Sequence, residues 1–72
     1  MKTIYINSKD IKLDQFLKWA NIAATGGEAK FLIQAGKIRV NGEIEYRRSH
    51  KISEGDLVTR IDTNKRFKVK RK

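Results

Sequence analysis

The sequence contains no cysteine and no proline, and it has a single histidine and a single tryptophan among its 72 residues. Without cysteine the chain can form neither a disulfide nor a thiolate-ligated metal site, and one histidine excludes a histidine-rich metal centre. No apolar run approaches the roughly 20 residues that a membrane-spanning helix needs, and no signal-peptide core follows Met1. The length leaves room for one domain, residues 1–72, with a small core. These absences predict a compact cytoplasmic domain with no metal, no cofactor and no membrane partner.

Positive charge is what the sequence has in excess: 17 Lys and Arg against 8 Asp and Glu, a formal net charge of +9 at pH 7. Residues 1–46 carry 7 basic and 5 acidic side chains, whereas residues 47–72 carry 10 and 3. Self-repulsion destabilises so small a body, and the charge therefore predicts a polyanionic partner. Nucleic acid is favoured because each neutralised phosphate releases counterions, with acidic lipid as the rival and a basic protein without such a partner as the third interpretation.

Apolar spacing predicts two short helices. The first begins between Asp10 and Leu13 and buries the stripe Leu13, Phe16, Leu17 and Ala20. The second begins at Thr25-Gly26-Gly27-Glu28, which has the spacing of a capping box in which the Glu28 carboxylate returns to the Thr25 amide. It ends at Gly36, which suits the left-handed conformation, and it buries Ala29, Leu32 and Ile33. The short link between the helices predicts a helix-turn-helix pair.

The aromatic side chains near these stripes are interpreted as packing residues. Phe16 and Phe31 lie on or beside the apolar stripes and are predicted to be core. Trp19 lies at the edge of the first stripe, where a half-buried packing role is favoured over stacking on a base.

The dipeptide Asn41-Gly42 predicts a β-hairpin within residues 38–46. A two-residue loop would pair Val40 with Glu43 and so mix apolar and acidic side chains on one face. A three-residue loop, with Gly42 in a left-handed bulge, pairs Ile38 with Ile44 instead. It also sets opposite charges across the strands, Arg39 with Glu43 and Lys37 with Glu45. The three-residue loop is therefore the predicted register.

Other apolar alternations predict strands at 2–6, 57–61 and 67–69. Residues 65–72 form a basic C-terminal strand and tail, which should fray beyond Val69. Together with the helices, these strands predict an α+β fold in which two short helices pack on a small antiparallel sheet.

No group of residues suits catalysis. Asp10 and Asp14 lie near a helix start, where carboxylates stabilise the helix dipole. His50 lies in a basic loop with no acid close in sequence, which favours a solvated histidine over a general base. Gly26-Gly27 lacks the Lys-Ser or Lys-Thr that follows the glycines of a phosphate-binding loop. The sequence therefore predicts a protein that is not an enzyme and has no small-molecule substrate.

A basic constellation is better supported than a catalytic one. Lys30, Gln34 and Lys37 are spaced three and four apart along the second helix. Further cations follow on the next strand and after the hairpin: Arg39, Arg47, Arg48 and Lys51. If the hairpin packs beside the second helix, these groups rim one basic groove, and the competing interpretation is a solvated charged face.

Four segments, taken in order, resemble the S4 RNA-binding domain family. Residues 12–17 (KLDQFL) are similar to its Arg-Leu-Asp-Lys-Phe-Leu, and residues 25–30 (TGGEAK) to its Ser-Arg-Ser-Glu-Ala-Lys. Residues 36–42 (GKIRVNG) are similar to Gly-Arg-Val-x-Val-Asn-Gly, and residues 52–58 (ISEGDLV) to its closing Pro-Gly-Asp turn and strand. Each segment alone is weak evidence, whereas four in order across residues 12–58 are specific.

The resemblance implies two helices packed on a small sheet, with RNA held across the second helix and the adjoining hairpin. Family members occur in ribosomal proteins, pseudouridine synthases and tyrosyl-tRNA synthetases, and this chain resembles the short stand-alone bacterial members. The motif positions near the family's RNA face are Lys12, Thr25, Lys30, Lys37, Arg39 and Asn41. The charge pattern adds Arg47, Arg48 and Lys51, and the spacing along the second helix adds Gln34.

The sequence departs from the family pattern at three positions within the matching segments. Gly26 and Gly27 replace an Arg and a Ser, which removes a side-chain phosphate contact, and Lys12 lacks the bidentate fork of an Arg. The predicted function is docking of a monomer on structured RNA, ribosomal or tRNA-like, with the ribosome as a candidate partner. Two other classes stay open: a duplex-DNA or nucleoid-binding protein, and an adaptor for an acidic protein partner.

Overall fold

The computed structural model describes residues 1–72 and confirms the α+β class. Its two helices are α1 (Leu13–Trp19) and α2 (Gly26–Gln34). Its strands are β1 (Lys2–Ile6), β2 (Asp10–Lys12), β3 (Ile38–Val40), β4 (Glu43–Ile44), β5 (Lys51–Ser53), β6 (Leu57–Arg60) and β7 (Lys65–Arg71). Neither helix is long and apolar enough to cross a membrane.

The strands form two sheets. The larger one has five strands in the order β1-β7-β6-β3-β4, and the smaller one pairs β2 with β5. All pairings are antiparallel except that of β1 with β7, which is parallel, so the larger sheet is mixed rather than antiparallel throughout. Strands β2 and β5 were not predicted, because they are short and the polar residues around them hide any alternation of apolar and polar side chains.

The core is made of 16 buried residues, all of them hydrophobic. The predicted stripes of both helices belong to it, which confirms the helical spacing. Phe31 does not: its side chain is 66% exposed, so its assignment to the core was wrong. At about 100° per residue, the stripe Ala29, Leu32 and Ile33 fixes the buried side of α2, and Phe31 falls on the opposite side.

The hairpin uses the register that the sequence argument rejected. Val40 pairs with Glu43 and Arg39 with Ile44, so the loop has two residues. Asn41 (φ 54°) and Gly42 (φ 89°) are both left-handed, as a type I′ turn requires. The mixed face is tolerated because both residues of the edge strand β4 are exposed, and the expected ion pairs of Glu43 and Glu45 with Arg39 and Lys37 do not form.

Asn41 also ties the hairpin to β6. Its Oδ1 accepts the Leu57 N–H at 2.9 Å, and its Nδ2 donates to the Asp56 carboxylate at 3.0 Å. The Asn41 N–H donates in turn to the Leu57 carbonyl at 2.8 Å. These bonds fix Asn41 in the turn and so favour the two-residue loop.

The start of α2 follows the predicted capping box with one change. The Glu28 N–H donates to Oγ1 of Thr25 at 3.0 Å, as predicted. The Glu28 carboxylate accepts from the N–H of Ala24 at 2.6 Å, one residue before the expected Thr25 amide. Gly36 (φ 74°) follows the helix in the left-handed conformation.

The C-terminal residues are ordered as strand, and the prediction of fraying beyond Val69 was wrong. Strand β7 continues to Arg71, and its pairing with β1 runs from Phe67 opposite Lys2 to Arg71 opposite Ile6. The Lys72 N–H donates to the Ile6 carbonyl at 2.8 Å. Backbone pairing with β1 outweighs the repulsion among the basic side chains.

Candidate nucleic-acid interface

Most carboxylates in the structure are occupied by local hydrogen bonds. Six of the eight accept from neighbouring groups, namely Asp14, Glu28, Glu45, Glu54, Asp56 and Asp62. Among the 17 Lys and Arg side chains, only Arg47 and Arg60 lie within 4.0 Å of a carboxylate. The remaining cations have no ion-pair partner, so the positive potential of the surface is not neutralised from within.

Residues 45–50 form a loop held by the Glu45 carboxylate. Its Oε2 accepts from both the backbone N–H and Nε of Arg47, each at 3.0 Å, and its Oε1 lies 3.3 Å from Nδ1 of His50. The hydrogen bond from the Arg47 guanidinium lowers the pKa of Glu45 to about 2, against a desolvation effect that raises it. His50 is thus half-buried beside Glu45, with 30% of its side chain exposed, so the expectation of a solvated loop histidine was wrong in part.

The same loop occupies the start of α1. The Leu13 N–H donates to the His50 carbonyl at 2.8 Å, and the Asp14 N–H donates to the Arg48 carbonyl at 3.1 Å. Lys12, at the N-cap position, makes no side-chain cap. The loop backbone thus satisfies amides that a capping side chain would otherwise bind, and the Lys12 side chain is left in solvent.

These contacts gather three exposed cations, Lys12, Arg48 and Lys51, which we call the loop cluster. Lys12 lies directly opposite Lys51 in the antiparallel pair of β2 and β5, so their side chains share one face. Like charges directly opposite each other destabilise a sheet unless an anion lies between them. The loop cluster is therefore a place where a bound phosphate would remove an existing repulsion.

The exposed side of α2 presents Lys30, Phe31 and Gln34, which we call the helix-2 face. Lys30 and Gln34 are one helical turn apart. Lys18 of α1 approaches the start of this helix, since a methyl group built on Gly26 would lie 4.0 Å from its Cδ. The helix-2 face thus combines a cation, an amide and an aromatic ring that no core residue covers.

The other predicted site residues lie elsewhere or are already engaged. Arg39 lies between the buried Ile38 and Val40 and points to the side of the sheet away from the helices. Lys37 is exposed, and its carbonyl accepts the Ile61 N–H at 2.8 Å. The polar groups of Thr25, Asn41 and Arg47 hydrogen-bond within the protein.

Sequence reasoning missed two residues beside the predicted site. Lys18 was passed over because it lies on α1, and only the packing of the helices brings it to α2. Phe31 was assigned to the core because it lies beside the apolar stripe of the second helix in sequence. The helical stripe itself could have placed Phe31 outside, since Ala29, Leu32 and Ile33 already define the buried side.

The loop network should make stability depend on pH. Because the folded pKa of Glu45 is about 2 against an ordinary 4.5, its contribution is present above about pH 4.5 and is lost as the pH falls towards 2. Glu45→Gln should cost about 1 kcal/mol at pH 7, a figure reduced for screening because the Arg47 side chain is 73% exposed. Urea denaturation at pH 7 and at pH 2 would measure this, with the difference closing at pH 2.

Glu43→Gln is the matched control, since Glu43 is a neighbouring exposed carboxylate without an ion pair. Its free energy of unfolding should stay within about 0.5 kcal/mol of the parent at both pH values. Equal effects of the two substitutions would contradict the assigned network.

Comparison with known proteins shows the family of this chain and a relative from a bacterium. The S4 domain family profile matches residues 4–70. The chain is also 40% identical over 55 residues to the probable ribosome maturation protein RlbA of Bacillus subtilis (strain 168), which covers 76% of this chain and 78% of the relative. The match therefore extends over most of both chains.

Proposed function

This chain belongs to the S4 domain family, and from that premise we propose that it is a non-catalytic protein that docks on structured RNA. The membership confirms the resemblance found in the four sequence segments. The proposed interface combines the loop cluster with the helix-2 face. The RNA is ribosomal or tRNA-like, and the protein acts as a monomer in the cytoplasm.

The observation that carries the proposal is the pairing of Lys12 with Lys51 beside Arg48, with no carboxylate within ion-pair distance of any of the three. A phosphate bound there converts a repulsive pair into two charge-assisted contacts and releases counterions from the RNA. Such contacts fix the position of a nucleic acid but do not read its sequence.

The helix-2 face supports RNA rather than a generic polyanion. A-form RNA hides its base edges in a narrow major groove, so proteins recognise its shape, its 2′-hydroxyls and its unstacked bases. The exposed ring of Phe31, on the same solvent-facing side of α2 as Lys30, offers a stacking surface for one unpaired base. Gln34 can donate to and accept from a 2′-hydroxyl.

Gly26 and Gly27 leave the first turn of α2 without side chains. Neither has a left-handed φ, and a methyl group on either would meet only ordinary van der Waals neighbours, so the fold itself does not demand glycine. A bare first turn allows a phosphate to approach the helix amides closely. This replaces the side-chain contact that the family's usual Arg would make.

Ribosomal RNA is the RNA we favour. The relative from Bacillus subtilis is named as a probable ribosome maturation protein, and the similarity covers most of its length. The ribosome and its precursors present the structured, highly charged RNA that the loop cluster requires.

Charge reversal should separate this interface from the rest of the basic surface. The double variant Lys12→Glu with Lys30→Glu is expected to weaken binding to a ribosomal RNA hairpin about 10- to 100-fold. The control, Lys9→Glu with Lys65→Glu, changes two exposed lysines outside the interface by the same total charge and should lose about threefold or less. Fluorescence anisotropy would give the affinities, and circular dichroism would show that both variants fold.

Equal losses in the two variants would contradict a localised interface. A DNA duplex of matched length serves as the competing ligand in the same titration. If it bound as tightly as the RNA hairpin, the duplex-DNA alternative would replace the proposed function.

A further inference from the structure

We propose that the face of the five-stranded sheet turned away from the helices is a second binding site, and that its ligand is an unpaired RNA strand. We call this surface the outer sheet face, and its charged residues are Arg39, Arg66, Lys68 and Lys70. The inference takes the class of its ligand from the proposed function, but it rests on different residues.

Strand alternation places these four cations on one side. In β7, Phe67 and Val69 are buried, so Arg66, Lys68 and Lys70 point the other way. In β3, Arg39 stands between two buried residues and points to that same outer side. The outer sheet face therefore lies on the opposite side of the sheet from the helix-2 face.

The strand register gives the spacing of the charges. Arg39 and Arg66 are both paired with Thr59, so the three form one row across β3, β6 and β7. Lys68 lies opposite Leu57, and Lys70 lies opposite Tyr5 of β1. Along β7 the three cations recur every second residue, which spans about 13 Å from Arg66 to Lys70. A single nucleic-acid backbone can follow such a line.

No carboxylate lies on the outer sheet face. The other residues that alternation places there are Thr3, Tyr5, Ile44, Leu57 and Thr59. The nearest acids in sequence, Glu54 and Asp56, accept from the Arg71 N–H and from the Ser53 N–H. Only Lys68 has an internal partner, a 2.9 Å hydrogen bond from its Nζ to the Gly55 carbonyl. The four charges therefore repel one another until an anion binds.

The shape and the aromatic content favour a single strand over a duplex. The largest concavity of the molecule, about 1040 Å³, is lined in part by Arg39, Leu57, Thr59 and Arg66, and continues to the β6–β7 turn and the end of α1. At the β1 edge of the same face, Tyr5 is 54% exposed and adjoins Lys70. An open sheet that offers cations and an aromatic ring suits unpaired bases, which stack on the ring while the backbone follows the charges.

Two interfaces on opposite sides of the sheet would let one molecule hold two RNA segments at once. The loop cluster and the helix-2 face would hold a folded segment, and the outer sheet face would hold an unpaired strand. The protein would then hold two parts of one RNA together, although it is itself too small to surround that RNA.

Reciprocal variants and two probes test this arrangement. Arg66→Glu with Lys70→Glu should weaken binding of an oligouridylate of about 12 nucleotides roughly tenfold and leave hairpin binding within about threefold. Lys12→Glu with Lys30→Glu should weaken binding of the hairpin and leave binding of the oligouridylate within about threefold. The parent protein, saturated with the hairpin, should still bind the oligouridylate with unchanged affinity.

The possible failures are distinguishable. If the outer-face variant binds the oligouridylate as the parent does, or if the hairpin displaces the oligouridylate, the second site is refuted while the proposed function stands. If neither variant changes hairpin binding, the proposed function fails instead. Should the glutamate variant unfold by circular dichroism, Arg66→Gln with Lys70→Gln carries the same test, because it removes the two positive charges and places no carboxylate in β7.

Discussion

Replacing Phe16 by alanine is expected to lower the free energy of unfolding by about 3–5 kcal/mol. The Phe16 ring is fully buried in the hydrophobic core, so its removal leaves a cavity that the small core cannot close. A domain of this length has a total stability of about 4–11 kcal/mol. Thermal denaturation followed by circular dichroism should show a melting temperature lower by at least roughly 12 °C.

Phe31→Ala provides the matched control, because it is the same substitution at a site that is 66% exposed. Its free energy of unfolding should change by about 0.5 kcal/mol or less, whereas its affinity for the RNA hairpin should fall as the stacking surface is lost. Equal destabilisation by the two substitutions would show that the buried side of α2 has been misplaced.

Binding of the RNA hairpin should weaken steeply with salt. About five phosphate contacts, made by the loop cluster, Lys18 and Lys30, predict a slope of log affinity against log salt of −3.5 to −4.5. A rise from about 50 to 200 mM salt should therefore reduce affinity roughly 130- to 500-fold. Anisotropy titrations at four or five salt concentrations would measure the slope.

A variant with two of these contacts removed checks the assignment. Lys12→Gln with Lys51→Gln should make the slope of log affinity against log salt shallower by about 1.4–1.8. The variant makes two fewer phosphate contacts, and its binding therefore releases fewer counterions from the RNA. A salt response that is flat in the parent, or a slope that is the same in parent and variant, would defeat the electrostatic mechanism.

The helices were predictable from the sequence because their signals are local. The stripe from Leu13 to Ala20, the cap at Thr25 and the left-handed Gly36 each act within a few residues and need no partner elsewhere. The same stripes identified most of the helical core. Only Phe31 was misassigned: it lies beside the stripe in sequence, but the helical period turns its side chain to the opposite side of α2.

The strand pairings were less accessible because they depend on distant residues. The hairpin register is set in part by the bonds of Asn41 to Asp56 and Leu57, which no local pattern reveals. The parallel pairing of β1 with β7 joins residues from the two ends of the sequence. The hairpin register and the parallel pairing were both missed because each strand was considered only with the strand next to it in the sequence.

The sequence indicated several residues of the candidate site but not how these residues are grouped in space. Charge and resemblance selected Lys12, Lys30 and Lys51, which do lie on exposed surfaces. The alternation within β3 separates Arg39 from the helices, and β7 turns a supposed tail into part of an ordered basic surface. A list of cations in sequence order could not have divided them between the two sides of a sheet.

Strand β1 has one neighbour in its sheet, and that neighbour is β7. During synthesis β1 emerges before the other strands of this domain, yet it has no strand to pair with until β7 has left the ribosomal tunnel. The backbone pairing of β1, from Lys2 opposite Phe67 to Ile6 opposite Arg71, is therefore completed only when β7 is available. Folding of the nascent chain should therefore finish only after synthesis of β7. Because β1 and β7 are far apart in sequence, their pairing has a high contact order and should be a slow step for so small a protein.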